Sequence, residues 1–487
     1  MGTQGLERVS VGVAGLDEIL EGGLIARRAY LVRGGPGRGK TTLGLHFLSV
    51  PDDTSPALFI GFQESEAQLR NNAQTVGIDV GAITFLSLAP DEHFFTDQQG
   101  YDVFAAADVE QEPLARAVIE AVEQYSPKRV FIDSLSQLRF LSADIFQYRK
   151  QVLSLLRYLT GQGATVLFSS ESTTEFPDDD LQFMADGVIS FEAGTKSASV
   201  RVTKFRGSAF RRGSHQMRVG SDGLNVFVTQ LLPKSKLTEE ERWRWRSGVE
   251  RLDAILGGGI EAGTVSLITG PSGAGKSTMA SLFAAEAARQ GRRAAIFLFE
   301  EEVATFMRRS KSLQIDLAGA YEEGRVLIEQ VEPMRYLADE FANRVRRHVE
   351  DDQVELVILD SVAGLELALD GDEEIKERLH AFAKSLARVG VSVVLINETE
   401  MMMGHFRVSE RGISYLSDNV VFLRYMEIDG ELQKVMGVLK KRLSSFDSCL
   451  YTFRIGPQAL VIGEPVSGLR GVLIGTPTVE EGAGDTA

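Results

Sequence analysis

The chain repeats itself at long range. GVAGLDEILEGGL from Gly12 returns as GVERLDAILGGGI from Gly248, and GGPGRGKTT from Gly34 returns as GPSGAGKST from Gly270. KFR at Lys204 returns as KKR at Lys440, and all three pairs are 236 residues apart. A unit of that size is a whole domain, well beyond the roughly 20–50 residues of a solenoid repeat. The chain therefore reads as a tandem duplication, which suits 487 residues that one ordinary core would not hold. The expected organisation is a first domain over 1–232, a linker over 233–247, a second domain over 248–475 and an acidic, disordered tail over 476–487. In the linker, PKSKLTEEERWRWRS, Trp243 and Trp245 are expected to dock on a neighbouring surface.

Within each half, short apolar runs alternate with helical stretches. RVFIDS and ELVILDS are continuous apolar runs ending in aspartate, as strands buried on both faces require. Such alternation predicts an α/β fold: two tandem domains, each a mainly parallel, doubly wound sheet with ligands at the carboxyl ends of its strands. A hydrophobic content of 44% with 25% charged residues is that of a globular protein. No apolar run reaches the ~18 residues of a membrane span, and MGTQGLERVS has no signal-peptide core. Cys449 is the only cysteine, which excludes an intramolecular disulfide and a cysteine metal cluster. A cytoplasmic location without membrane contact is expected. The net charge of −16 disfavours broad nucleic-acid binding.

The chemistry lies in two matches to G-x-x-x-x-G-K-[ST]. The first comprises Gly34, Gly35, Pro36, Gly37, Arg38, Gly39, Lys40 and Thr41, with Thr42 following. Its second copy comprises Gly270, Pro271, Ser272, Gly273, Ala274, Gly275, Lys276 and Ser277, with Thr278 following. Glycines let the backbone curl so that successive N–H groups face phosphate oxygens, and the next helix offers its positive end. Lys40 and Lys276 are expected at the β- and γ-phosphates, and Thr41 and Ser277 at Mg²⁺. A lone match could be a chance glycine turn; two at one offset, each between strand and helix, are not easily so. Asp133 and Asp360 end later strands and suit Mg²⁺ coordination through water. Read alone, each could equally be a helix N-cap. Ser134 and Ser361 come directly after them and could orient water.

The order of glycine loop, strand ending in paired acids, IDS, and a lysine-x-arginine strand resembles the RecA-like ATPases. The duplicated form, with GLDEILEGGL ahead of the loop, KFRGS near the domain end, SDNVVFLRYMEIDGEL from Ser417 and GVLIGTPT, resembles the KaiC family. That resemblance implies a homo-hexamer of two stacked rings, binding and hydrolysing ATP with Mg²⁺ between subunits. It implies that machine rather than a circadian output. Lys204 and Arg206, and Lys440 and Arg442, are expected on strands with both side chains on one face. The resemblance makes them trans groups reaching a neighbour's γ-phosphate. Leu443 stands where the family has glycine. By the same resemblance Thr75 and Leu313 lie near the adenine, and Ser208 and Ser444 near the neighbour's phosphates.

In this family the first carboxylate after the strand is the general base. Glu300, with Glu301 beside it, holds that position in the second half, whereas the first half has Gln63 and Glu64. A glutamine amide can orient water but cannot take a proton. Strand alternation would turn Glu64 to the opposite face, so a slow or structural first site is expected. GISYLSDN, from Gly412, resembles the family's phosphorylated segment, with Ser414 as acceptor and Tyr415 in place of threonine. A serine autokinase activity in the second ring is expected on that basis. A KaiB-like or other signalling partner is implied, while a KaiA-like one is not, because the chain stops shortly after IGTPT. Two alternatives belong to other classes. A DNA-recombination ATPase would need basic, glycine-rich inner loops, but TTEFPDDDLQF and TEMMMGHFR are acidic or methionine-rich. A nucleotide-gated scaffold would assemble with little turnover.

Overall fold

A computed structural model describes residues 6–50, 56–88, 106–139, 142, 144–171, 177–194, 197–228, 243–332, 335–368, 375–399, 417–428, 430–457, 459–466, 469–470 and 478–479. The chain forms two compact units, Met1–Thr229 and Gln230–Ala487.

The first unit opens with a two-stranded ribbon, β1 (Arg8–Val9) against β2 (Leu24–Ile25). Its main sheet holds nine strands: β3 (Ala29–Gly34), β4 (Ala57–Gly61), β5 (Ile83–Ser87), β6 (Arg129–Asp133), β7 (Thr165–Ser170), β8 (Gly187–Ala193), β9 (Ala198–Phe205), β10 (His215–Gly220) and β11 (Gly223–Phe227). Their order is β5-β4-β6-β7-β3-β8-β9-β10-β11, parallel through β8 and antiparallel beyond it.

The second unit repeats this plan. The ribbon is β12 (Arg244–Trp245) on β13 (Ile260–Glu261). The sheet strands are β14 (Val265–Gly270), β15 (Ala294–Leu298), β16 (Val326–Gln330), β17 (Leu356–Asp360), β18 (Ser392–Glu398), β19 (Asn419–Ile428), β20 (Glu431–Lys441), β21 (Tyr451–Gly456) and β22 (Ala459–Pro465). Their order, β16-β15-β17-β18-β14-β19-β20-β21-β22, matches the first sheet strand for strand.

The central parallel strands are buried along most of their length, so their apolar runs feed cores on both faces of each sheet. The expected two-domain, doubly wound α/β fold is thus observed. Helices Lys40–Ser49 and Lys276–Arg289 come after the glycine loops at the carboxyl ends of β3 and β14. Gly39 and Gly275 precede them at φ 87° and 110°, a left-handed conformation that side-chain-bearing residues rarely adopt. Among the described residues no helix is long and apolar enough to cross a membrane.

Two expected boundaries change. Residues 243–247 belong to the second unit, not to a linker. Trp245 is fully buried, pairs with Ile260, and its indole N–H donates to Ser392 Oγ at 2.7 Å. Trp243 packs edge-on against it beneath the Arg292 guanidinium. The tryptophans therefore dock within their own domain. Inside the stretch expected to be disordered from 476, the two described residues Thr478–Val479 pair with Leu469–Arg470.

Candidate functional site

In the first unit the glycine loop turns back over the lysine that it carries. Lys40 is 7% exposed, and its ammonium donates to the carbonyls of Gly34 at 2.8 Å and Gly35 at 2.9 Å. Burial holds it below the usual lysine range, with Glu171 and Asp133 opposing that shift. Thr41 Oγ1 donates to Asp133 Oδ2 at 2.6 Å, and Ser169 donates to the other carboxylate oxygen. The peptide between Asp133 and Ser134 is cis, as is that between Asp360 and Ser361.

The second unit presents an open cleft of about 430 Å³ between loop, strand ends and the helix Val303–Ser312. Lys276 is as buried as Lys40, donates to the Pro271 carbonyl at 2.7 Å and lies 4.0 Å from Glu398. Burial lowers its pKa, against the pull of Glu398, Asp360 and Glu300. Burial raises the Asp360 carboxyl above the usual range, while a hydrogen bond from Ser277 works the other way. Hydroxyl and carboxylate thus meet at the foot of both loops, the donor set a hard cation such as Mg²⁺ takes.

The acids distinguish the two copies. Both parent strands end two residues early, at Gly61 and Leu298, so face alternation does not reach the acidic positions beyond them. Glu300 and Glu301 line the same cleft, so the face alternation applied to Glu64 does not hold at the matching pair of the second copy. Glu300 Oε1 accepts from Ser361 Oγ at 2.9 Å. In the first unit Ser134, the counterpart of Ser361, has a buried hydroxyl without a partner. Glu301 accepts from Arg309 at 2.6 Å and Glu64 from Asn72 at 3.1 Å, each eight residues further on. Glu64 is therefore the structural counterpart of Glu301, which leaves Gln63 as the counterpart of Glu300.

The basic pairs need one correction. Lys204 ends inside β9 and Lys440 inside β20, but Arg206 and Arg442 lie just past those strands. A bulge before each lysine shifts the register, at Val188/Ile189 and at Val420/Val421, and such bulges re-aim side chains. Lys204 donates to the carbonyls of Gln182 and Ala185 at 2.8 and 2.7 Å, and Lys440 to that of Ser417 at 2.7 Å. Arg206 and Arg442 pair with Asp186 and Asp418. Neither Lys440 nor Arg442 is among the described residues lining the second cleft of their own chain.

Leu313 does line that cleft, whereas Thr75 is exposed with its hydroxyl on the Asn72 carbonyl. Ser208 accepts from Arg8 and Ser444 donates to the Ser445 carbonyl, both in loops after the basic strands. Leu443 is half exposed. Ser414 lies outside the described residues. Sequence reading missed Glu171 and Glu398 beside the lysines, and Arg309 and Lys434 in the second cleft. Lys434 Nζ reaches the Gly273 carbonyl at 2.8 Å. The repeat could have flagged the two glutamates, because each stands 38 residues after its strand-end aspartate.

The ATPase family described by KaiC matches residues 9–230 and again 245–467. The circadian clock oscillator protein KaiC of Parathermosynechococcus lividus is 25% identical over 492 residues, covering 98% of this chain and 89% of that protein. Its counterpart in Picosynechococcus sp. is 26% identical, covering 98% and 93%. Circadian clock oscillator protein KaiC 1 of Synechocystis sp. is 27% identical, covering 98% and 92%. With both halves matched and the strand order of each sheet repeated, the chain belongs to the KaiC ATPase family.

Proposed function

We propose that this KaiC-family ATPase binds MgATP at both glycine loops, in a homo-hexameric double ring whose sites are completed across subunit interfaces, and hydrolyses it mainly in the second ring. The observation that carries this reading is the duplicated loop, with its buried lysine beside a hydroxyl–carboxylate pair, of which only the second copy keeps a glutamate bonded to the following serine. Mg²⁺ held by Thr41 and Asp133, or by Ser277 and Asp360, would neutralise charge on the β- and γ-phosphates.

Lys40 and Lys276 exchange loop carbonyls for phosphate oxygens. Loop N–H groups and the helix N-terminus hold the same anions in place. Glu300, oriented by Ser361, takes the proton of the attacking water or acceptor hydroxyl. Glu301 stands beside it, Leu313 borders the adenine, and Thr75 takes the corresponding place in the first unit. Lys204, Arg206, Lys440 and Arg442, with Ser208 and Ser444 nearby, supply fixed positive charge to a neighbour's transferring phosphoryl group. Ser414 is the proposed phosphoacceptor in the second ring, and a KaiB-like or other signalling protein is the proposed reader of nucleotide state.

Incubation with MgATP, with phosphate release, particle sizing and intact mass followed together, tests the whole reading. Expected are a particle six times the chain mass, steady phosphate release, and one added phosphate that Glu300→Gln abolishes. A monomer without turnover would refute the ring ATPase. Turnover without added mass would remove the kinase alone.

A further inference from the structure

The helix Val303–Ser312 carries a cation that the first copy lacks. Arg309 Nη2 donates to Glu301 Oε2 at 2.6 Å, while its Nε is buried without a partner. Its side chain is one-third exposed and faces the cleft lined by Lys276, Ser277, Glu300 and Asp360. At the matching place in the first unit stands Asn72, whose neutral amide donates to Glu64 at 3.1 Å. At these two matched positions the second copy therefore carries one more carboxylate, Glu300 against Gln63, and one more cation, Arg309 against Asn72.

This pairing matters because the cleft concentrates negative charge. Four carboxylates line it, Glu300, Glu301, Asp360 and Glu398, against the three cations Lys276, Arg309 and Lys434. A nucleoside triphosphate brings one more negative charge than a diphosphate, carried by its terminal phosphate. A carboxylate left unbalanced at that end would repel the triphosphate more strongly.

We infer that Arg309 determines nucleotide specificity in the second cleft, cancelling the charge of Glu301 so that the cleft prefers a nucleoside triphosphate to a diphosphate. This rests on the proposed reading that the second loop binds ATP with its terminal phosphate towards Glu300. Arg309 acts as a positioning residue here, because it touches Glu301 and works on the ligand through that carboxylate.

The test uses the full chain and energy transfer from Trp243 and Trp245, the only two tryptophans, both in the second unit, to N-methylanthraniloyl ATP and ADP. Only the part of the signal that Lys276→Ala abolishes is counted. Arg309→Asn is a mild change, since the first copy folds with asparagine there. It should lower the ratio of ATP to ADP affinity on the order of tenfold, the scale of one partly screened charge pair. Adding Glu301→Gln to Arg309→Asn should restore the ratio, a rescue that a packing defect would not show. Arg309→Lys should keep most of the preference. An unchanged ratio in Arg309→Asn, or equal weakening of both nucleotides that Glu301→Gln fails to reverse, would overturn the inference alone. Absence of any Lys276-dependent signal in the unaltered protein would overturn the functional reading with it.

Discussion

At the scale of single residues the two copies differ most where chemistry would be done. Gln63 stands where Glu300 stands, and the serine that Glu300 engages is left in the first unit as the buried, unpartnered hydroxyl of Ser134. Glu64 bonds to Asn72 in the place where Glu301 bonds to Arg309, so it matches Glu301 rather than Glu300. Most turnover should therefore come from the second copy. Lys276→Ala should remove most phosphate release, and Lys40→Ala should chiefly weaken assembly. Gln63→Glu should raise the first copy's rate by up to about 10²-fold, the lower end of what general-base assistance supplies. Steady-state phosphate release from the three variants decides. Should Lys40→Ala abolish turnover while Lys276→Ala spares it, the assignment of roles is reversed and Glu64 is the base.

At the scale of elements, the repeat exposes matched packing solutions. Gly44, in the helix after the first loop, sits against Phe131 of β6, and a Cβ added there would meet the ring at 2.1 Å. The second copy has the volume the other way round, with Ala280 on the helix and Ile358 on the strand, both fully buried. Gly44→Ala alone should destabilise the first unit by about 1–3 kcal/mol through overpacking, and Phe131→Ile should recover part of that loss. Urea unfolding of the single and double variants measures the coupling, and additive losses would show that the ring is not the obstacle. A second element carries a pH signature. His348, near the end of helix Ala338–Glu350, is held above the usual histidine range, first by its bond to Glu329 of β16 and also by Asp352. A histidine raised in the folded state contributes stability that is complete below about pH 6.5 and lost as pH rises through the folded value. His348→Gln should therefore cost most near pH 6 and least near pH 8. Equal losses in thermal midpoint at both pH values would show that the ion pairs contribute nothing. Elements of this kind were legible in the sequence to unequal degrees. The central strands and glycine loops could be read because burial on both faces leaves continuous apolar runs and phosphate cradles need glycine. β12 could not be read directly, since two residues among charges show no period and the burial of Trp245 comes from distant Ile260 and Ser392. The 236-residue offset from Arg8–Val9 held that information nonetheless. Face alternation was no guide to Glu64 because it assumes a strand that has already ended at Gly61. Glu171, Glu398 and Lys434 reach the sites through the strand order, which no local pattern encodes, whereas Arg309 stands only eight residues after its partner Glu301.

At the scale of the whole molecule, the question is whether one chain contains a complete site. Lys440 donates to the Ser417 carbonyl and Arg442 pairs with Asp418. The described residues that line their own cleft are others, and the proposed reading gives these cations to an adjoining subunit's nucleotide. A heterologous interface, where one face of each subunit meets the opposite face of the next, gives a ring when the rotation between subunits closes and a filament when it does not. Shared sites make a prediction that self-contained ones do not. Chains bearing Lys276→Ala lack a working loop but keep Arg442, and chains bearing Arg442→Ala keep the loop but lack the arginine. Each alone should be nearly inactive in the second ring. Mixed one to one and assembled with ATP, roughly a quarter of the second-ring interfaces should join an intact loop to an intact arginine. Phosphate release should then rise well above that of either variant, and light scattering should report the same particle size throughout. A mixture no more active than its components, in particles of full size, would mean that each chain completes its own site and that Lys440 and Arg442 serve only to bind Ser417 and Asp418.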